Sequence, residues 1–441
     1  MQAELLIHPR WIAPVEPAGV LEDHAVAVGD GRILALLPTA EAERTIEARE
    51  TVTLGEHLLI PGLVNAHTHA AMTLLRGYAD DLPLETWLKE KIWPIEARCV
   101  CEEFVRDGAL AAIAEMLAGG ITSFADMYFF PRATIASALA LGMRVAAGII
   151  VIGFPSAYAK DASEYLERGL ALRDDYRTNP LVSFLLAPHS PYAVEEETLV
   201  QIASYAAETG LPIQTHLHET AKEVADSVAR HGARPLARLA ELGLAGPGLS
   251  AVHMTQVDNE DMDLLARHAV NVVHCPESNL KLASGFCPVA RLTDAGVNIA
   301  LGTDGAASNN DLDLLGEMHT AALLAKGVAG DPAAFGAAST LRAATLGGAQ
   351  AIGLADEIGS ITPGKWADLA AVRLDAARLR PLYNPVSQLV YASGREDVSD
   401  VWVAGERRVR NGNLQNLDPE NLASRLREWE SYILQEAAAH A

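Results

Sequence analysis

Four cysteines in 441 residues, Cys99, Cys101, Cys275 and Cys287, are too few and too irregularly spaced for a disulfide framework, and no CxxC pair occurs. Reduced thiols in a cytoplasmic protein are the simplest reading. Positive charge is also scarce: 34 Lys and Arg against 57 Asp and Glu give a formal net charge of −23. Such a surface repels phosphate backbones and anionic lipid, which argues against nucleic-acid and membrane partners. No apolar run approaches the roughly 20 residues needed to span a bilayer. The N-terminus, MQAELLIHPRWIAPVEP, lacks a basic region followed by a long apolar stretch, so no secretory signal is expected. P-loop and nucleophile-elbow motifs are missing. So is the H-x-E with P-C-x-x-C pattern of one class of zinc deaminases, since Cys275-Pro276 has the wrong order.

What remains is a chain half apolar, with Gly and Pro spread throughout, large enough for one barrel-sized domain and a smaller one. The first sixty residues read as short strands. Ala25–Val28 and Ile33–Leu36 form a hairpin around Gly29-Asp30-Gly31. The C-terminal part repeats this style in Ala367–Val372 and Val401–Gly405, and ends in an amphipathic helix over Asn421–Ala441. Neither end alone can bury a two-sided sheet, so the two are expected to pair. That gives a composite small β-sandwich domain from residues 1–60 and 362–441, and a central unit over 61–361. The centre alternates short apolar runs with Ala- and Leu-rich helical stretches, the rhythm of βαβ units. Its eight runs, Leu63–Ala66, Ile121–Ala125, Arg144–Ile150, Val182–Ala187, Pro212–Thr215, Leu249–Val252, Val270–Val273 and Val297–Leu301, predict an α/β fold with a closed (β/α)8 barrel.

Such a barrel carries its active site at the C-terminal ends of its strands, so the residues after each run are the ones to examine. His67 and His69 follow the first run, His189 the fourth, His216, His218 and Glu219 the fifth, His253 the sixth, His274 the seventh and Asp304 the eighth. Seven of the 14 histidines thus fall at expected strand ends. His67 and His69, two apart on a strand, face the same way and can grip one ion. With His216 and Asp304 they give three imidazoles and a carboxylate, a set suited to Zn²⁺ with Fe²⁺ as the alternative. A water on that ion, its pKa lowered to about 7, is a nucleophile at neutral pH, and Glu219 is spaced to act on it as a general base. An HxH pair alone is weak evidence, and Asp304 could be an ordinary helix N-cap. The conjunction decides the matter, because so many buried polar groups in a barrel mouth are costly without an ion to satisfy them.

PGLVNAHTHAAMTLLRG from Pro61, HLHET from His216, SNLKL from Ser278, GTDGAASNN from Gly302 and ITPGKWADL from Ile361 together resemble the amidohydrolase superfamily. WPIEARC from Trp93 and APHSPY from Ala187 narrow the likeness to its 5-methylthioadenosine/S-adenosylhomocysteine deaminase branch. The resemblance implies a metal-dependent aminohydrolase with a single metal on His67, His69, His216 and Asp304. The dinuclear members' carboxylated lysine has no counterpart in Leu186-Ala187-Pro188-His189. It further implies that Glu96 holds the ribose hydroxyls, that His189 and Ser308 contact the nucleoside, and that His253 hydrogen-bonds the attacking hydroxide. Glu219 and Asp304 would contact the base and move protons as C6 of the adenine loses ammonia.

One departure bears on substrate choice. Branch members that take S-adenosylhomocysteine resemble one another in an arginine late in the third strand, where this chain has apolar residues near Ile149. Aliphatic carbon cannot replace a guanidinium clamp on a carboxylate. 5′-Methylthioadenosine, giving 5′-methylthioinosine, is therefore expected ahead of S-adenosylhomocysteine or adenosine, unless Arg144 or Lys160 supplies the cation. Guanine deaminase and chlorotriazine hydrolase chemistry are the competing enzymatic readings. A non-catalytic scaffold should have lost the ligands, and all four are here together with Glu219. A homo-oligomer is compatible with the fold, though no interface residue marks one.

Overall fold

The computed structural model describes residues 1–439. Eight parallel strands run Leu63–Thr68, Ile121–Asp126, Arg144–Val151, Val182–Pro188, Ile213–Leu217, Leu249–His253, Asn271–His274 and Ile299–Leu301, each hydrogen-bonded to the next in chain order. Helices such as Glu102–Ala118, Pro131–Leu141, Ala162–Tyr176 and Leu314–Ala329 alternate with them. The last strand returns to the first: the amide of Asp304 donates to His67 O at 3.1 Å. Gly302 permits that approach, because a Cβ there would stand 2.9 Å from the His67 nitrogen.

The strands are nearly continuous buried apolar runs, as parallel strands covered on both faces must be. Most run one or two residues beyond the apolar segments, taking in His67, His216, His253 and His274. Polar side chains end the hydrophobic signal before the ladder itself ends. Helix starts are capped in the usual way, with Asp161 accepting from the Glu164 amide and Asp258 and Asp261 forming a capping box.

Outside the barrel lie two sheets. Gln2–His8, His24–Gly29, Arg32–Pro38 and Glu47–Thr53 make a four-stranded one, which contains the expected hairpin with Asp30 and Gly31 at positive φ. The seven-stranded sheet mixes both chain ends: His57–Pro61 pairs antiparallel with Leu369–Arg373, which pairs with Val398–Val403. Leu5, Ile7, Val26 and Ile33 of one sheet pack against Leu59, Leu369, Ala371 and Trp402 of the other, giving the sandwich its core. Two later helices, Pro385–Tyr391 and Pro419–Ala438, lie against helices of the barrel. The terminal helix begins two residues before the expected Asn421. Residues 440 and 441 of that expectation lie outside the described residues. No helix among the described residues is long and apolar enough to cross a membrane.

Arg144 opens the third strand, at the barrel floor. It makes a bidentate pair with Asp368, Nε to Oδ2 at 2.8 Å and Nη2 to Oδ1 at 3.2 Å, and also donates to Pro180 O. The Ala404 amide donates to the same carboxylate at 2.7 Å. Arg144 is thus held at the opposite end of its strand from the mouth. Lys160 is exposed and does not line the cavity described below. Neither supplies a cation to the site.

Candidate metal centre and active site

At the mouth His67, His69, His216 and Asp304 bring their donor atoms within 4.8 Å of one another. His216 Nε2 lies 3.2 Å from His67 Nε2 and 3.3 Å from His69 Nε2, and Asp304 Oδ1 stands 3.4 and 3.2 Å from the same two atoms. The other ring nitrogens fix the tautomers. Nδ1 of His67 faces Gln214 Oε1 at 2.8 Å, Nδ1 of His69 faces Met127 O at 2.6 Å, and Nδ1 of His216 faces His189 O at 2.7 Å. Gln214 is oriented by donating its own amide to Ala66 O. Each of these oxygens can only accept, so each Nδ1 carries the proton and each Nε2 presents a bare lone pair. Three lone pairs and a carboxylate oxygen converging in a buried pocket have no hydrogens to share among themselves. This donor set fits a divalent cation, and the outer contacts are of the kind that orient metal ligands.

Burial pulls the pKa of His216 and His67 down, and His189 falls to about 3, so these rings stay neutral and available. The carboxylate of Asp304 is anchored by the Ser278 and Ser308 hydroxyls, which donate to Oδ2 at 2.7 and 3.0 Å. Burial opposes its charge, but the close approach of the His67 and His69 rings outweighs burial and holds its pKa well below the usual range. Asp304 and His253 both take left-handed backbone, φ 60° and 77°. Such conformations in non-glycine residues cost energy and gather at functional sites.

Glu219 lies beside this group, its Oε2 3.9 Å from His253 Nε2 and its Oε1 accepting from Ser284 Oγ at 3.3 Å. Burial raises it to about 8. His253 donates Nδ1–H to Asn279 Oδ1 at 2.8 Å, which leaves Nε2 facing the mouth side. His69, His216, Glu219, His253 and Asp304 line a cavity of about 630 Å³, a size suited to a small organic ligand. Glu96, His189 and Ser308 line it as well, although the Ser308 hydroxyl is turned onto Asp304. Trp87, Trp93, Phe129, Phe154 and Tyr192 supply much of the remaining wall. Among the described residues, no lysine or arginine lines it.

His218 and His274 stand apart. His218 Nδ1 donates to Gln256 O and its Nε2 accepts from the Leu236 amide, both at 3.0 Å, so the ring ties loops together. His274 is buried, and burial lowers it to about 3. Strand-end reasoning passed over Gln214, which reaches across the barrel from the fifth strand, and Tyr128, two residues beyond the second strand. The second could have been found by applying the strand-end rule to Asp126-Met127-Tyr128.

The description of the amidohydrolase family matches residues 58–408. The chain belongs to that family. It is 50% identical over 420 residues to a 5-methylthioadenosine/S-adenosylhomocysteine deaminase of Teredinibacter turnerae, covering 95% of each chain. Among solved structures it resembles a zinc-bound adenosine deaminase from Xanthomonas campestris at 51% identity and a TM-score of 0.97, covering 98% of this chain and 99% of that one. A zinc complex of atrazine chlorohydrolase from Arthrobacter aurescens is more distant, at 25% identity and a TM-score of 0.89, covering 97% and 100%. Family and site chemistry together make this amidohydrolase a deaminase dependent on a divalent metal.

Proposed function

We propose that the protein hydrolytically deaminates adenine nucleosides, with 5′-methylthioadenosine as its preferred substrate and 5′-methylthioinosine and ammonia as products. The observation that carries this reading is the convergence of three bare Nε2 atoms and a carboxylate beside a buried glutamate, in a cavity the size of a nucleoside. His67, His69, His216 and Asp304 would hold the ion. Zinc is favoured by the imidazole-rich set and by the zinc-bound relative. Bound there, a divalent ion supplies Lewis acidity and a water-derived nucleophile at neutral pH.

The chain's own groups do the rest. In its ionised form Glu219, given a high proton affinity by burial, accepts the first proton of the attacking water and passes it to the ring nitrogen beside C6, which makes that carbon more electrophilic. His253 hydrogen-bonds the incoming oxygen through Nε2. Asp304 relays the second proton to the departing amine, so the C6–O bond forms as C6–N breaks and ammonia leaves. Glu96 holds the ribose hydroxyls and His189 contacts the nucleoside. Ser308, whose hydroxyl bonds Asp304, borders the purine.

Preference for the methylthio group rests on the wall. An amino-acid carboxylate entering with S-adenosylhomocysteine meets Glu96, Glu195 and aromatic rings, without a guanidinium or ammonium to pair with. A thioether methyl meets the same rings favourably. We take the cytoplasm as the site of action, where four free thiols stay reduced.

The test is a panel of 5′-methylthioadenosine, S-adenosylhomocysteine, adenosine, guanine and a chlorotriazine with zinc-loaded protein, following ammonia or chloride release and product mass. The methylthio substrate should lead S-adenosylhomocysteine by about 10–100-fold in kcat/KM, the scale of one charged hydrogen-bonded contact. Equal constants would defeat the specificity argument. No nucleoside turnover by metal-loaded protein would defeat the reading as a whole.

A further inference from the structure

Glu96 stands on the helix Trp93–Cys99, while the metal-ligand set stands on barrel strands, so something must fix the distance between them. The segment after the second strand touches both. Asp126, the last residue of that strand, accepts from the Ala70 amide at 2.8 Å and the Thr134 hydroxyl at 2.9 Å, which locks the start of the segment to the turn after His69 and to the following helix. Met127 O takes the Nδ1 proton of His69 at 2.6 Å. Tyr128, the next residue, donates its phenol to Glu96 Oε1 at 2.5 Å. Three consecutive residues therefore bind a metal-ligand histidine and the Glu96 carboxylate to one short piece of backbone.

The tyrosine is well suited to this. It is only 4% exposed, packed in the cluster that includes Met72, Ile92, Ile95 and Phe104, and its ring lies against Phe129 at 5.3 Å. A phenol so held has one direction in which to donate. Pinning Oε1 fixes the plane of the carboxylate and leaves Oε2, with the remaining lone pair of Oε1, turned toward the cavity that both residues line. Two oxygens presented in a fixed plane are what a vicinal diol needs for paired O–H donation.

We propose that Tyr128 is a positioning residue for ribose recognition, setting the Glu96 carboxylate at a fixed reach from the reacting centre through the backbone that also orients His69. The proposal rests on the reading of Glu96 as the diol-binding group. Burial raises the Glu96 carboxyl to about 7 while the Tyr128 hydrogen bond pulls it down, so the phenol also favours the ionised form that accepts from two hydroxyls. Tyr128 does not touch the reacting atoms in this account. Its effect is on how firmly the sugar is held, and only for substrates that have the diol.

The experiment is a double-mutant cycle read with two substrates, adenosine and 2′,3′-dideoxyadenosine, on zinc-loaded wild type, Tyr128→Phe, Glu96→Gln and the double variant. The measured quantity is the diol preference, the ratio of kcat/KM for the two substrates. Phenylalanine keeps the ring and its packing, and metal content and melting temperature verify that each variant is folded. Tyr128→Phe should lower the preference about tenfold, mainly through KM for adenosine, and leave dideoxyadenosine kinetics unchanged. Glu96→Gln should lower it at least as far, and adding Tyr128→Phe to it should change nothing more. Glu96→Asp, which withdraws the carboxylate from the phenol without touching Tyr128, should resemble Tyr128→Phe. An undiminished preference in Tyr128→Phe, or an equal loss on both substrates, overturns the positioning role while Glu96 keeps its own. An undiminished preference in Glu96→Gln instead removes Glu96 from ribose binding, and the proposal falls with it.

Discussion

The barrel buries charge at its mouth and at its floor, and it does so in opposite ways. At the floor Arg144 and Asp368 satisfy each other with two parallel hydrogen bonds, and Pro180 O and the Ala404 amide take the remaining valences. Nothing is left over for a ligand. At the mouth the three imidazoles give their protons outward, to Gln214, Met127 and His189, and turn acceptors inward upon a fourth acceptor, Asp304. Both clusters are buried and both hold polar groups against apolar surroundings. The difference is complementarity: a closed set of donors and acceptors is architecture, whereas converging acceptors mark a place for a cation.

Mutations at the two ends should separate these roles. Removing a mouth ligand has the largest expected effect. His216→Ala should purify with little metal and lose turnover to background, and the melting temperature should no longer rise on adding zinc, as elemental analysis and thermal scans would record. Glu219→Gln should keep its metal and lose about 10²–10⁴-fold in kcat. Normal turnover with metal bound would remove Glu219 from proton transfer. At the floor, Asp368→Ala leaves a guanidinium buried and unpaired, and should lower stability by about 3–5 kcal/mol in denaturant titrations. The fraction that remains folded should turn over normally, and a loss of kcat without loss of stability would break the contrast between the two ends.

The smallest effect concerns pH. Glu96 keeps some accessible surface where it lines the cavity, yet burial raises its carboxyl from the ordinary 4.5 to about 7. Between those values the folded state holds a proton that the unfolded chain has released. That contribution to stability is fully present below 4.5 and is lost as pH rises through 7. Glu96→Gln has no such proton to lose. Its melting temperature relative to wild type should therefore climb between pH 5 and pH 8, and a flat difference across that range would show that Glu96 titrates normally.

The sequence was informative where a local rule sufficed. Apolar runs located the strands, and histidines just past them picked out the group that converges at the mouth, because a parallel barrel aims the end of every strand at one mouth. Where contacts cross between strands the sequence was mute. Gln214 lies two residues before His216 yet serves His67, and Tyr128 serves a glutamate 32 residues earlier in the chain. Arg144 teaches the same lesson in reverse. It belongs to the strand whose far end borders the cavity, but at the near end a side chain belongs to the floor, where Asp368 from the C-terminal part was waiting to neutralise it.

That floor pair also has a history in time. Its two members are separated by 224 residues. At about 5–20 residues per second, a ribosome that has made Arg144 needs roughly 10–45 s more to make Asp368. The strand Leu369–Arg373, which joins His57–Pro61 from the other end of the chain, arrives with it. For that whole interval the growing chain carries a guanidinium without its counter-charge and the strand His57–Pro61 without this neighbour. The last fifth of the polypeptide thus acts as the keystone of the first, and the order of translation makes it the last piece set.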